Sequence, residues 1–207
     1  MVAFLFDFDG TLAIEKSFLK RYFEELLRFF KRKGVNVTVD LLMGCVEEIT
    51  RNPNDMDNFR RFSFCMERRT STPSKLWEEW FLEFYSSDIF DSLKDTIEPN
   101  EEVVKMALEK KREGLLVLAS NPVLPRIAMV KRLNWIGLSE DLFDLITDME
   151  GFHYCKPDPR YYLEICEKLG VPPERCVMYG DDEINDGVCE KVGIKFVKVA
   201  SVRQTLQ

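Results

Sequence analysis

After Pro99 the chain alternates helical and strand-like segments with little between them, and that rhythm admits few architectures. Asn100 precedes a helical stretch with Glu101 and Glu102 in its first turn and Lys110, Lys111 and Arg112 in its last, the charge order a helix dipole favours; Gly114 ends it. An apolar run at 115–119 leads into Ser120-Asn121-Pro122. A helix over about 125–134, a strand over 142–147 and a helix over 159–169 closed by Gly170 come next. A strand over 176–179 then ends at Gly180-Asp181, and a helix closed by Gly193 leads to a last strand over 194–199. Residues 2–6 form one more apolar run, of the kind buried on both faces of a parallel sheet. Such alternation predicts an α/β fold, a parallel sheet with helices on both faces.

Between the first strand and Pro99 the character changes. Residues 15–95 are helical in period and hold ten of the sixteen phenylalanines. Phe18, Tyr22, Leu26 and Phe29 recur at three- and four-residue spacing, with Leu19, Phe23, Leu27 and Phe30 beside them. A stripe that wide must pack on two sides. Gly34 is a C-terminal stop, and weaker helical patterns follow at 39–50 and 56–68. A fourth helix opens at Thr72-Pro73, a capping residue with proline at the first helical position, and runs through Leu76, Trp77, Trp80, Phe81, Phe84 and Tyr85. The expected insertion is a small four-helix bundle whose aromatic stripes are its core.

Composition sets the outer limits. With 45% hydrophobic and 31% charged residues over 207, the chain can bury a core and is not disordered. A net charge of −7 is the wrong sign for a nucleic-acid partner. No apolar run is long enough to span a membrane, and the N-terminus lacks the features of a signal peptide. Cysteines 45, 65, 155, 166, 176 and 189 form no CxxC pair or zinc-like spacing, and are read as reduced, mostly buried thiols of a cytoplasmic protein.

In an open parallel sheet, ligands bind beyond the carboxyl ends of the strands. Here those ends carry Asp7 and Asp9, Ser120 and Asn121, and Asp181, Asp182 and Asp186, with Lys156 in the loop after the third strand. Two carboxylates about 4 Å apart repel by roughly 4 kcal/mol at an effective dielectric near 20. Gathering several at one rim needs a divalent cation, a shared proton or a nearby lysine. Oxygen ligands with a single histidine point to Mg²⁺ rather than zinc.

Asp7-Phe8-Asp9-Gly10-Thr11, Ser120-Asn121, Lys156-Pro157 and the run from Gly180 through Asp181 and Asp182 to Asp186 resemble, in order, the four motifs of the haloacid dehalogenase-like (HAD) superfamily. The resemblance covers 1–14 and 97–207 and implies a Rossmann-like catalytic core over those residues. The segment 15–96 would be a helical cap of the C1 type, placing the chain in subfamily I. The short stretch from Asn121 to Lys156 leaves no room for the alternative C2 cap.

The same resemblance implies roles. Asp7 would attack phosphorus to give an aspartyl-phosphate. Asp9 would protonate the leaving oxygen and then activate water, and its backbone carbonyl would reach the metal. Ser120 would bond a phosphoryl oxygen, Thr11 and Asn121 would lie at the substrate, and Lys156 would offset charge on nucleophile and phosphate. Asp7, Asp9, Asp181 and Asp186 would form the Mg²⁺ site, with Asp182 an alternative to Asp181. Family members that cleave carbon–halogen bonds lack a carboxylate two residues after the first aspartate, so Asp9 favours phosphomonoester hydrolysis. The implied enzyme is a Mg²⁺-dependent phosphatase acting on a small phosphorylated metabolite, without nucleic-acid or membrane partners, as a monomer or small homo-oligomer. A phosphomutase and a noncatalytic ligand-binding relative are the alternatives.

The chain departs from many relatives after the first motif, where it reads Ala13-Ile14-Glu15-Lys16 in place of an acidic-serine pair, so their substrate contacts do not transfer. His153, three residues before Lys156, could approach the cleft but is read as incidental. Arg60, Arg61, Arg68 and Arg69 are read as a solvated helix face. The last residues, 201–207, are expected to fray.

Overall fold

The computed structural model describes residues 1–200, so 201–207, expected to fray, lie outside the described residues. Strand β1 (Ala3–Phe6) is fully buried, as its unbroken apolar run requires, and forms the centre of a five-stranded parallel sheet. Its neighbours are β4 (Leu115–Leu118) and β6 (Cys176–Gly180); β5 (Leu145–Ile146) and β7 (Lys195–Lys198) are the edges, giving the order β5-β4-β1-β6-β7. Helices α6 (Glu101–Lys111), α7 (Arg126–Trp135) and α8 (Pro159–Leu169) connect the strands. They pack into two apolar clusters. One contains Phe4, Phe6, Leu116 and Leu118, the other Leu5, Val117, Tyr161 and Tyr162. Alternate residues of a strand therefore feed opposite faces, and the α/β expectation holds.

Register decides what meets at the strand ends. Phe6 stands opposite Leu118 on one side and Tyr179 on the other. The next residues are locked by Ala119 N–H donating to Phe6 O (2.8 Å) and Asp7 N–H donating to Tyr179 O (2.9 Å). The first, second and fourth motifs thus leave the sheet abreast.

The chain leaves the core through β2 (Ala13–Glu15) and returns through β3 (Ile97–Pro99), and these two segments pair antiparallel. Between them lie α1 (Phe18–Arg32), α2 (Val39–Arg51), α3 (Asn58–Thr70), α4 (Ser74–Ser86) and a one-turn α5 (Asp88–Asp91). The α1 stripe packs on two sides, as its width demands: Phe30 meets Trp77 and Phe81 edge-on, while Phe18 faces Trp135 of α7.

Several local expectations need correction. Thr72 does not cap α4; the N–H of Ser74 donates to Glu67 Oε2 (2.8 Å), a carboxylate of the preceding helix. The strand over 142–147 shrinks to two residues because Glu140–Leu142 is a 3₁₀ turn and Asp144 turns its carboxylate back to accept from Leu116 N–H. The segment before Gly193 is 3₁₀ over Gly187–Val192. Cys45 and Cys65 are joined as a disulfide, because α2 and α3 pack with those Cα atoms 5.6 Å apart. The other four cysteines are buried free thiols.

Candidate active site

The loop after β1 turns on Gly10, whose φ of +83° is open to glycine at little cost. A Cβ there would also sit 2.5 Å from Asp181 Oδ2. Gly180 plays the matching part on β6: a Cβ would come 2.1 Å from Asp186 Oδ2. Both glycines are thus absences of side chain that let carboxylates approach the backbone. Gly180→Ala should displace Asp186 and lower stability by about 1–3 kcal/mol, measured by thermal denaturation without metal.

Asp7, Asp181 and Asp186 are all buried, each with a carboxylate oxygen within 4.8 Å of the others'. Lys156 is buried among them and donates from Nζ to Asp7 Oδ1 (2.8 Å) and Asp186 Oδ1 (2.6 Å). Burial pushes the Asp7 carboxyl up to about 7, against the pull of Lys156 and with the help of Asp186. Burial alone would lower Lys156, but Asp7 and the other groups around it outweigh that and hold its ammonium well above the usual lysine value. Lys156 binds two of the three clustered carboxylates. The gathered carboxylates, the all-oxygen donors and the two side-chain-free backbone positions fit a hard divalent cation.

Asp182 differs from its neighbour. Its Oδ1 accepts from the N–H groups of Ile184 (2.8 Å) and Asn185 (3.1 Å), and its Oδ2 from the Asn185 amide (2.7 Å), so it shapes the loop while Asp181 joins the cluster.

The other expected residues fall into distinct places. Ser120 is buried at the end of β4, its carbonyl fixed by the hydroxyls of Thr147 (2.6 Å) and Tyr161 (2.8 Å). Asn121 spends its Oδ1 on the backbone N–H of Lys156 (3.1 Å), which ties the second motif to the third. Thr11 is wholly enclosed, and its hydroxyl has no hydrogen-bond partner among the described residues. In this structure it is a residue of the loop's interior and does not line the cavity beside Asp9. His153 is held by Glu164, Nδ1 to Oε1 at 2.8 Å.

Asp9 stands apart from the cluster. Its side chain is 46% exposed and bound by both terminal nitrogens of Arg132 from α7. Arg132 is 1% exposed and lies between the rings of Phe8 (4.5 Å) and Phe18 (4.3 Å). Nothing in the sequence singled out Arg132. It occupies a helix position like any solvated arginine, and only the fold brings it across 123 residues to Asp9.

Among the four arginines of the helical insertion, Arg61 departs from the solvated-face expectation. It is buried and donates to Asn58 Oδ1 and to the carbonyls of His153, Ile49 and Asn52, fastening the insertion to the core. Arg60 pairs with Asp57, and Arg68 and Arg69 share Glu48.

A cavity of about 540 Å³ opens beside Asp9 and Gly10, between the core and helices α1 to α4.

The model of the haloacid dehalogenase-like hydrolases matches residues 1–187. A phosphorylated carbohydrates phosphatase of Thermotoga maritima is 26% identical over 206 residues, 94% of this chain and 83% of that protein. Hexitol phosphatase B of Escherichia coli K12 is 39% identical over 82 residues, 39% of this chain and 35% of the relative. The chloroplastic SUPPRESSOR OF QUENCHING 1 of Arabidopsis thaliana is 27% identical over 179 residues, 86% of this chain but 16% of the plant protein, so the chain spans only a small part of it. CbbY from Rhodobacter sphaeroides, solved with phosphate, shares the fold at a TM-score of 0.63 and 18% identity, covering 100% of this chain and 90% of its own. A HAD family enzyme from Bacteroides thetaiotaomicron, solved as a magnesium complex, does so at 0.57 and 14%, covering 100% and 96%.

Proposed function

The chain belongs to the haloacid dehalogenase-like hydrolase family, and from that premise we propose that it is a Mg²⁺-dependent phosphatase working through an aspartyl-phosphate on Asp7. Relatives named as phosphatases of phosphorylated carbohydrates and of hexitols support phosphomonoester hydrolysis, and a structural neighbour holding magnesium supports the metal. One observation carries the reading. Three strand-end segments converge so that Asp7, Lys156, Asp181 and Asp186 share one buried site, with a further carboxylate, Asp9, at the rim of a cavity.

Asp7, Asp181 and Asp186 would hold the cation, which when bound supplies positive charge against a phosphate and keeps Asp7 ionised. The steps belong to the chain's own groups. Asp7 attacks phosphorus, the P–O ester bond breaks, and Asp9 delivers a proton to the departing alkoxide. Water then loses a proton to Asp9 as it attacks the same phosphorus, releasing phosphate and restoring Asp7. Lys156 keeps Asp7 pointed and counters charge throughout, while Ser120 bonds a phosphoryl oxygen. Asn121 acts one step removed, through the Lys156 backbone. The insertion over 15–96 acts as a cap, with the paired strands β2 and β3 as its stem.

No helix among the described residues is long and apolar enough to cross a membrane. The test is phosphate release from p-nitrophenyl phosphate and a panel of phosphomonoesters, with Mg²⁺ and with EDTA. Release that needs the metal is expected, and release undiminished by EDTA would overturn the metal assignment.

A further inference from the structure

The cavity beside Asp9 is lined mainly by hydrocarbon, with Asp9, Glu15, Lys16, Tyr22, Tyr85 and Arg132 as its polar side chains. Phe23, Leu26, Leu42, Phe62 and Val46 represent its wall, supplied mostly by the helical insertion. Each of these polar side chains already has a partner within the protein. The hydroxyls of Tyr22 and Tyr85 bond each other at 2.6 Å inside the core. Glu15 Oε1 accepts from Leu19 N–H (3.1 Å), Lys16 pairs with Glu98, and Arg132 is committed to Asp9. Backbone groups at the core side are likewise spent: Met149 N–H donates to Leu124 O (3.0 Å), and Phe59 N–H to Met149 O (3.0 Å).

A polyhydroxylated leaving group would therefore surrender water on entry and find few partners. Each hydroxyl desolvated without a partner lowers affinity by about tenfold or more. Hydrocarbon gains on the same wall. We infer that the leaving group this cavity accepts is apolar, an alkyl or aryl alcohol, and that sugar and polyol phosphates are poor substrates. The inference rests on the phosphatase reading above and narrows its substrate class. A cavity of about 540 Å³ lies within the range of roughly 300–1,000 Å³ that encloses ligands of drug size, so there is room for more than a two- or three-carbon group.

The experiment is a homologous series with Mg²⁺: butyl, hexyl and octyl phosphate and 1-naphthyl phosphate, against glucose 6-phosphate and sorbitol 6-phosphate. Each added methylene should raise kcat/KM about threefold to fourfold until the cavity is filled. Octyl phosphate should exceed the sugar phosphates at least about a hundredfold. Leu19 and Met43 line the mouth and are 53% and 46% exposed, so polar replacements there should leave the fold intact. Leu19→Asn with Met43→Gln should lower the ratio of octyl to acetyl phosphate turnover by about fivefold.

A flat chain-length series, or preference for the sugar phosphates, overturns the inference while Asp7-dependent hydrolysis leaves the phosphatase reading standing. If no compound is turned over, the phosphatase reading fails, and calorimetry with octylphosphonate and sorbitol 6-phosphate decides the cavity separately. Tighter binding of octylphosphonate supports an apolar ligand site, and equal or weaker binding removes it.

Discussion

Asp7→Asn is expected to silence phosphate release and, in the absence of metal, to make the protein more stable. The first effect is the larger. Without a nucleophilic carboxylate no acyl phosphate forms, and kcat should fall at least about a thousandfold. The second follows from burial. Asp7 ionises at an ordinary value of 3.8 in the unfolded chain and is pushed up to about 7 in the folded protein. That difference corresponds to on the order of 4 kcal/mol against folding once both states are ionised. A carboxyl raised on folding favours the native state least at high pH, so the cost is full above about pH 7 and fades as pH falls towards 3.8. The amide cannot ionise, so the metal-free variant should melt roughly 8–16 °C above the wild type at pH 8, with the gap closing at acid pH. Mg²⁺ should reverse the order by stabilising the wild type more than a variant lacking one of its ligands. Lost activity with an unchanged or lowered melting temperature at pH 8 would mean that Asp7 is not held against its charge.

The pairing of those effects shows what the sequence could disclose. Apolar runs ending at Asp7, Ala119 and Gly180 announced a parallel sheet, because an unbroken hydrophobic strand has no solvent face to offer. The order of the polar residues at those ends then pointed to the candidate site. What stayed hidden depended on contacts between distant segments. Lys156 could be placed at the rim, but its grip on Asp186 as well as Asp7 comes from packing the loop after β5 against the turn after β6. Which of Asp181 and Asp182 joins the acidic cluster turns on which carboxylate the loop's own N–H groups consume, a matter of backbone path. The Cys45–Cys65 pair was invisible for the same reason: twenty residues apart in sequence, the two meet only because α2 and α3 lie side by side. Arg61 read as a surface charge because its acceptors are mostly backbone carbonyls, which no residue type reports.

Arg132 is the hidden residue with the greatest consequence for chemistry, and it links to the last expected result. Asp9→Asn should slow the cleavage of alkyl phosphates about a hundredfold to ten-thousandfold, because an alkoxide cannot leave without a proton. Nitrophenolate can, so the first step with p-nitrophenyl phosphate should be nearly spared. Steady-state rates would blur the contrast, since in the proposed mechanism Asp9 also activates the water of the second step. Single-turnover mixing separates them: a burst of nitrophenol should persist in the variant, and the burst of alcohol should not. Arg132 holds the Asp9 carboxylate through two nitrogens while its own plane is clamped between Phe8 and Phe18. In the proposed mechanism it is a positioning residue. Lysine offers a single point charge in place of the planar fork, so Arg132→Lys should reproduce the leaving-group contrast of Asp9→Asn in milder form, about tenfold on alkyl phosphates. A general loss of folding would depress both substrates alike. Equal loss on both at the first step, in a variant that still melts cooperatively, would show that Arg132 serves the fold and leaves the proton transfer to Asp9 alone.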